Sequence, residues 1–195
     1  MNERISRMEQ KLKKYLDAPR YDHTMGVMYT AAAMAMRYDV DVEQALVAGL
    51  LHDCAKCIPH DVKIRLCRQH GMHVSEVELN NPSLLHAKLG ALIAGEKYHV
   101  KDKEILHAIA SHTTGRPEMT TLDKIIYIAD YIEPGRLELP NMKEVRRLAF
   151  TELDECLYRI LKDSLNYLKT KEIPIDPLTE NTYKYYKEKL KKEVL

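Results

Sequence analysis

The chain has 195 residues, with 30 Lys and Arg against 29 Asp and Glu. A balance of +1 leaves no electrostatic footprint for nucleic acid or an anionic membrane, so neither is expected as a partner. With 45% hydrophobic and 30% charged residues, the chain can bury a core and does not have the composition of a disordered one. No run reaches the roughly 20 apolar residues of a membrane helix. The start, MNERISRMEQKLKKYL, lacks the apolar stretch of a secretory signal. Cys54, Cys57, Cys67 and Cys156 are too few for a disulfide framework at this length, which points to a reducing, cytoplasmic setting. Nine histidines are the count that stands out.

Nearly every segment has helical period and almost none alternates as a strand does, which predicts an all-α fold. Helices are expected over about 3–16, ended near Pro19, and over about 20–38, with His23 in its first turns. Asp41 with Gln44 reads as a capping box for a helix over about 42–55, apolar on nearly every side and therefore central. That helix is expected to end at His52-Asp53. Pro59 opens a short helix that stops at Gly71, and 72–82 reads as irregular, with a turn at Asn80-Asn81-Pro82. Helices over about 83–98 and 102–112 carry His86 and His112. Helix 121–132 carries Asp130 and is broken by Glu133-Pro134-Gly135. Asn141 with Glu144 resembles another capping box, starting a helical stretch to about 171 that bends near 150. Asp176-Pro177 supplies an N-cap and first-turn proline for a last helix over about 178–193. The junction at 172–177 is the weakest, which marks the last helix as an appendage, and its Lys-rich end reads as a solvated face. The whole of 1–195 is expected to form a single domain, with a core over about 18–135 and the helices of about 141–193 packed on it.

The chemistry sits in histidines and aspartates on separate helices. His52-Asp53 closes a very apolar helix, where an imidazole and a carboxylate are costly to bury without a partner. A metal cation is the simplest partner for both. His23 lies on the preceding helix, and His86, His112 and Asp130 each on a later one. Four imidazoles and two carboxylates exceed the needs of one tetrahedral zinc and suit two octahedral ions sharing a carboxylate. His60, His70, His73, His99 and His107 fall in polar or loop-like surroundings and read as ordinary histidines.

These residues lie in recognisable segments: RYDHTMGV around His23, LLHDCAK around His52-Asp53, NPSLLHAKLGA around His86, and SHTTGRPEMTTLDKIIYIADYIEPGR from Ser111 to Arg136, with IPIDPLTENTYKYY further on. Over about 15–185 the chain resembles the HD-domain metal-dependent phosphohydrolases of the YqeK type, the symmetrical diadenosine tetraphosphate hydrolases. The resemblance implies a helical HD bundle, a di-iron centre and cleavage of diadenosine tetraphosphate to two ADP. By position, His23, His52, Asp53 and Asp130 would hold one metal and His86 and His112 the second, with Asp53 bridging. The cysteines at 54 and 57 depart from the small or apolar residues expected after the HD pair.

Hydrolysis of a phosphoanhydride needs an activated water and neutralised phosphate oxygens, and two metals can supply both without a Ser or Cys nucleophile. Lys56 lies one helical turn after His52 and can reach a phosphate oxygen; with Asp53 it forms the expected catalytic pair. Arg136 and Arg116 both suit bidentate phosphate recognition, and the resemblance favours Arg136. Ser111 and Thr113 flank His112 and could donate to phosphate. The expected substrate-binding set is therefore His23, Lys56, Ser111, His112, Thr113 and Arg136. Iron is the metal the resemblance implies, while the ligand types also accept Mn, Co, Ni or Zn. Oligomeric state stays open, a homodimer included. Cys54-x-x-Cys57 reads as a pair of buried structural thiols, and the stretch MGVMYTAAAMAM as core. The rival readings are another nucleotide phosphohydrolase, a di-iron oxygenase, or a nucleotide-binding sensor without turnover. Cyclic dinucleotide cleavage is disfavoured, because the Gly-Tyr-Pro stretch of those relatives is absent.

Overall fold

The computed structural model describes residues 2–136, 139 and 141–193. Among them the chain forms α-helices and no strand, as its periodicity predicts. In order these are α1 (Glu3–Leu12), α2 (Ala18–Arg37), α3 (Val42–Leu51), α4 (His60–Gln69), α5 (Glu76–Asn80) and α6 (Leu85–Tyr98). Then follow α7 (Lys103–Ser111), α8 (Thr121–Ile132), α9 (Met142–Leu148), α10 (Leu153–Thr170) and α11 (Pro177–Glu193). No helix among the described residues is long and apolar enough to cross a membrane.

Helices α3 and α8 form the centre. Ala45, Val47, Ala48, Leu50 and Leu51 of α3 are buried, as its all-round apolarity requires. In α8, Ile125, Ile126, Ile128 and Ala129 are buried as well. Around them pack α2 and α7, with α6 outside α7 and α10 against α8. The methionine stretch on α2 contributes Met28 and Met34 to the core, whereas Met36 is exposed.

Several local expectations are corrected. Helix α1 stops at Leu12, because 13–15 turn with i→i−3 bonds (Lys14 N–H to Lys11 O, Tyr15 N–H to Leu12 O) and Asp17 then caps α2. Asp41 caps α3, but Gln44 does not complete the box; its amide reaches across to Asp102, at 2.8 Å. The segment 72–82 holds a helix, α5, closed by a Ser75–Glu78 capping box, and a 3-10 turn at Pro82–Leu84. Asn141 makes no capping bond and instead donates to the Asp163 carboxylate. The expected long helix is broken at 149–152 into α9 and α10, with Glu152 at φ −141° and ψ 80°, outside the helical region.

Helix α11 is docked rather than appended. Tyr186 is 1% exposed, and its hydroxyl accepts from the Met119 N–H at 3.0 Å. Thr182 is buried against Gly115, whose φ of +65° and lack of a Cβ make room for it. On the Lys-rich face, Lys189 pairs with Asp154 at 2.5 Å. Tyr186→Phe should therefore leave the Met119 N–H unpaired and lower stability by about 1–3 kcal/mol. Denaturant unfolding measures this, and an unchanged midpoint would contradict the docking role of the hydroxyl.

Candidate metal centre

Five helices deliver six side chains to one cluster. His23 stands in the second turn of α2, His86 in the first turn of α6, and Asp130 in the last turn of α8. His52 and His112 occupy the C-cap positions of α3 and α7, and Asp53 follows His52 in a run of turns. Ring centroids of His23 and His52 are 5.4 Å apart, those of His52 and His112 5.0 Å, and those of His86 and His112 4.9 Å.

The orientation of each ring is set by what its Nδ1 touches. His52 Nδ1 lies 2.7 Å from Gly49 O, His86 Nδ1 2.5 Å from Ser83 O, and His112 Nδ1 2.7 Å from Ile109 O. Each partner is three residues earlier, so the local helix or turn supplies it. His23 Nδ1 lies 3.0 Å from Glu133 Oε1. Because those oxygens can only accept, Nδ1 is the protonated nitrogen in all four rings. The four Nε2 atoms then turn their lone pairs inward; those of His86 and His112 are 3.0 Å apart.

Asp53 divides this set. Its Oδ1 lies 3.1 Å from His86 Nε2 and 3.6 Å from His112 Nε2. Its Oδ2 lies 3.5 Å from His52 Nε2 and 3.9 Å from His23 Nε2. Asp130 Oδ1 joins the second group, 3.0 Å from His23 Nε2 and 3.9 Å from His52 Nε2. Despite these distances, His23 Nε2, His52 Nε2 and Asp53 Oδ1 are buried without a hydrogen bond. Opposed lone pairs and orphaned buried acceptors are what a bound cation would satisfy, so the donor set fits metal ions. The ligand atoms of His23, His52 and Asp130 lie within 4.8 Å of one another, as do those of His52, Asp53 and His112. His52 thus belongs to both triplets, while the Asp53 contacts group His86 with His112.

Burial opposes charge on Asp53. In the metal-free site a proton on the inward nitrogens of His52, His112 and His86, standing where a cation would, outweighs it and holds the carboxyl well below the usual range. Burial opposes charge on Asp130 too, and His23 with the rings of His52 and His112 overturns it. Burial pushes His86 down to about 4, against the pull of Asp53 and with the help of His112 and Lys56.

On the open side of the cluster lies a cavity of about 380 Å³, lined by Lys56, His86, His112, Thr113, Asp130 and Arg136 among others. Lys56 Nζ is 3.3 Å from His86 Nε2 and 3.9 Å from Asp53 Oδ1. Thr113 Oγ1 is 3.3 Å from both His86 Nε2 and His112 Nε2. Arg136 Nη2 pairs with Asp130 Oδ1 at 2.6 Å. Ser111 is not brought to this cavity: it is buried, and its hydroxyl donates to His107 O at 2.7 Å. Arg116 is committed elsewhere, pairing at 2.6 Å with the buried Asp123, which closes a capping box on Thr120. Cys54 is buried, with its thiol pushed up to about 12 by burial, but Cys57 is exposed, so the expectation of two buried thiols fails for one.

Three neighbours escaped the sequence reading. Arg20 donates to Asp53 Oδ2 at 2.7 Å; it lies three residues before His23, and that helical spacing was the available signal. Glu133, read as part of a helix break, is 3% exposed and grips both His23 and the Gly135 N–H. A Cβ on Gly26 would overlap its carboxylate, so that glycine keeps space for it. Lys63 is buried and donates to Lys56 O at 2.9 Å, bracing the turn that follows Asp53; its amphipathic helix gave no sign of this.

A helical scaffold that converges four imidazoles and two carboxylates in this order defines a class. The HD-domain model matches residues 20–135, and the chain belongs to the HD-domain family. It is 40% identical over 174 residues to the symmetrical bis(5'-nucleosyl)-tetraphosphatase of Bacillus subtilis, covering 89% of this chain and 92% of that one. To the enzyme of the same name from Staphylococcus aureus it is 34% identical, covering 93% and 94%. Among solved structures, an HD superfamily hydrolase from Clostridium acetobutylicum, described as involved in NAD metabolism, superimposes with a TM-score of 0.91 at 36% identity, covering 94% and 97% of the two chains.

The depressed His86 has a consequence for stability. In metal-free protein the unfolded residue takes its proton near 6.5 and the folded one only near 4. Between those values the unfolded state binds more protons, so acidification from about pH 6.5 to about pH 4 should cost on the order of 3 kcal/mol through this group. Chemical denaturation of the metal-free protein across that range should show the loss, and His86→Gln should reduce it. A flat wild-type profile would contradict the assignment.

Proposed function

We propose that the protein hydrolyses diadenosine tetraphosphate symmetrically, to two ADP, using water and a dinuclear metal centre. The observation that carries this is the division of Asp53: one oxygen faces His86 and His112, the other His52 and His23. The names of the relatives supply the substrate, and the cationic cavity beside the cluster is consistent with it.

In this reading His23, His52, Asp130 and Asp53 would hold one ion, and His86, His112 and Asp53 the other. Iron is the metal we propose, with Mn, Co, Ni and Zn chemically acceptable to the same nitrogen and oxygen donors. Bound ions would supply polarisation of a water and charge neutralisation on the phosphoryl oxygens. The chain's own groups do the rest. Lys56 and Arg136 bring cationic donors to the phosphate oxygens, and Thr113 adds a hydroxyl. Asp53 and Asp130 stay ionised as ligands, and the Nδ1 partners keep the four rings in place. The Ser111 hydroxyl serves His107 O, and the Cys54 thiol is buried and protonated, so neither is offered as a nucleophile. Water adds to one central phosphorus, the anhydride bond breaks, and each product leaves as ADP.

We also propose that the chain works as a single unit. Met142, Ile160 and Ser164, outside the matched residues 20–135, wall the same cavity.

Product analysis tests the reaction. Metal-loaded protein in ¹⁸O-labelled water should give ADP as the initial product, with one label in one of the two molecules. AMP and ATP as initial products would contradict symmetrical cleavage, and no turnover would favour a nucleotide sensor.

A further inference from the structure

Three of the four ring anchors in the cluster are peptide carbonyls, and the fourth, at His23, is the side chain of Glu133. The two oxygens of that side chain have different partners. Oε1 lies 3.0 Å from His23 Nδ1, and Oε2 accepts from the Gly135 N–H at 2.5 Å. A residue between two donors must offer two acceptor oxygens, and a carboxylate does. A glutamine has one oxygen. If that oxygen kept the Gly135 N–H, its amide would point an N–H at His23 Nδ1. The ring would then satisfy it by carrying its own proton on Nε2, the nitrogen that faces Asp130 and Asp53.

The surrounding backbone is shaped to hold this one side chain. Gly26 lies one turn after His23 on α2, and a Cβ there would overlap Oε2. A Cβ on Gly135 would lie 3.0 Å from Oε2 and 3.2 Å from Oε1. Glu133 is also the C-cap of α8: its N–H bonds Ala129 O at 3.0 Å, and its carbonyl accepts from the Arg136 N–H at 3.0 Å and from Arg146 Nη2 at 3.2 Å. We propose that Glu133 is a positioning residue for the hydrolysis, selecting the His23 tautomer that turns a lone pair to the metal and so sustaining one of the two ions. The proposal rests on the dinuclear reading and adds a residue outside the ligand set that sets the two ions apart. The ion held through His23 has a carboxylate behind one of its imidazoles, whereas His86 and His112 have carbonyls alone. A carboxylate behind a ligating imidazole fixes its orientation and raises its basicity.

Glu133→Gln, which keeps the size of the side chain, and Glu133→Ala test this in cobalt(II)-loaded protein. Each protein is titrated with a chelator while the metal left per chain and the visible cobalt spectrum are followed. The wild type should hold two ions. A variant with wild-type helical circular dichroism should release one of them at a chelator concentration about 10–100-fold lower, and the other as the wild type does. Its cobalt spectrum should change before any release, which a side chain that only fills space would not cause. An unchanged spectrum with unchanged release, or early release of both ions alike, overturns the role of Glu133. The wild-type count keeps the two readings apart. Two ions without a Glu133 effect defeat the positioning role alone, and a single ion that the variants release early defeats the dinuclear reading alone.

Discussion

Four imidazole lone pairs and two ionised carboxylates held together in an apolar interior repel one another, and the rest of the molecule is arranged around that constraint. The rings cannot turn away, because each Nδ1 is tied to an oxygen: three to carbonyls three residues back, the fourth to Glu133. Placing His52 and His112 at helix C-caps gives them their own last-turn carbonyls as anchors. The apolar sides of α3 and α8 then hold the ends of those helices in register. Cations between the nitrogens and oxygens convert the repulsion into cohesion, which is why the HD-domain scaffold and its metal chemistry are inseparable.

The helices and the metal-binding residue types were legible because both depend on local facts. Hydrophobic period predicted the all-α fold, and an imidazole-carboxylate pair at the end of an apolar helix marked itself as costly. All six side chains named from that argument meet in the cluster. What was not legible depended on contacts between distant segments. Gln44 looked like half of a capping box but found Asp102, 58 residues away. Asn141 likewise left its own helix for Asp163. Ser111 flanks His112 in sequence, yet its hydroxyl bonds back along α7, a choice that spacing does not reveal. Glu133 sits in a Pro-Gly break, where a surface carboxylate is the ordinary expectation, and only the approach of α2 shows that it holds His23. Some misses were closer to hand: Ser75 with Glu78 carries the capping-box pattern, and the short helix it starts could have been read.

The C-terminal helices change how the site is understood. The family match ends at residue 135, yet the cavity wall continues through Met142, Ile160 and Ser164. Helix α10 reaches the site because it packs on α8, and α11 in turn secures α10 and the 115–119 loop through Asp154, Thr182 and Tyr186. The His and Asp cluster and part of the wall of the cavity beside it are thereby built from different parts of the chain.

The central claim is that Asp53 joins two metal sites. Elemental analysis of metal-loaded wild type and Asp53→Ala, normalised to protein, tests it most directly. The account predicts two ions per chain in the wild type and loss of both in the variant, with the helical content of the variant retained by circular dichroism. Two ions per chain in a folded Asp53→Ala protein would contradict the bridge.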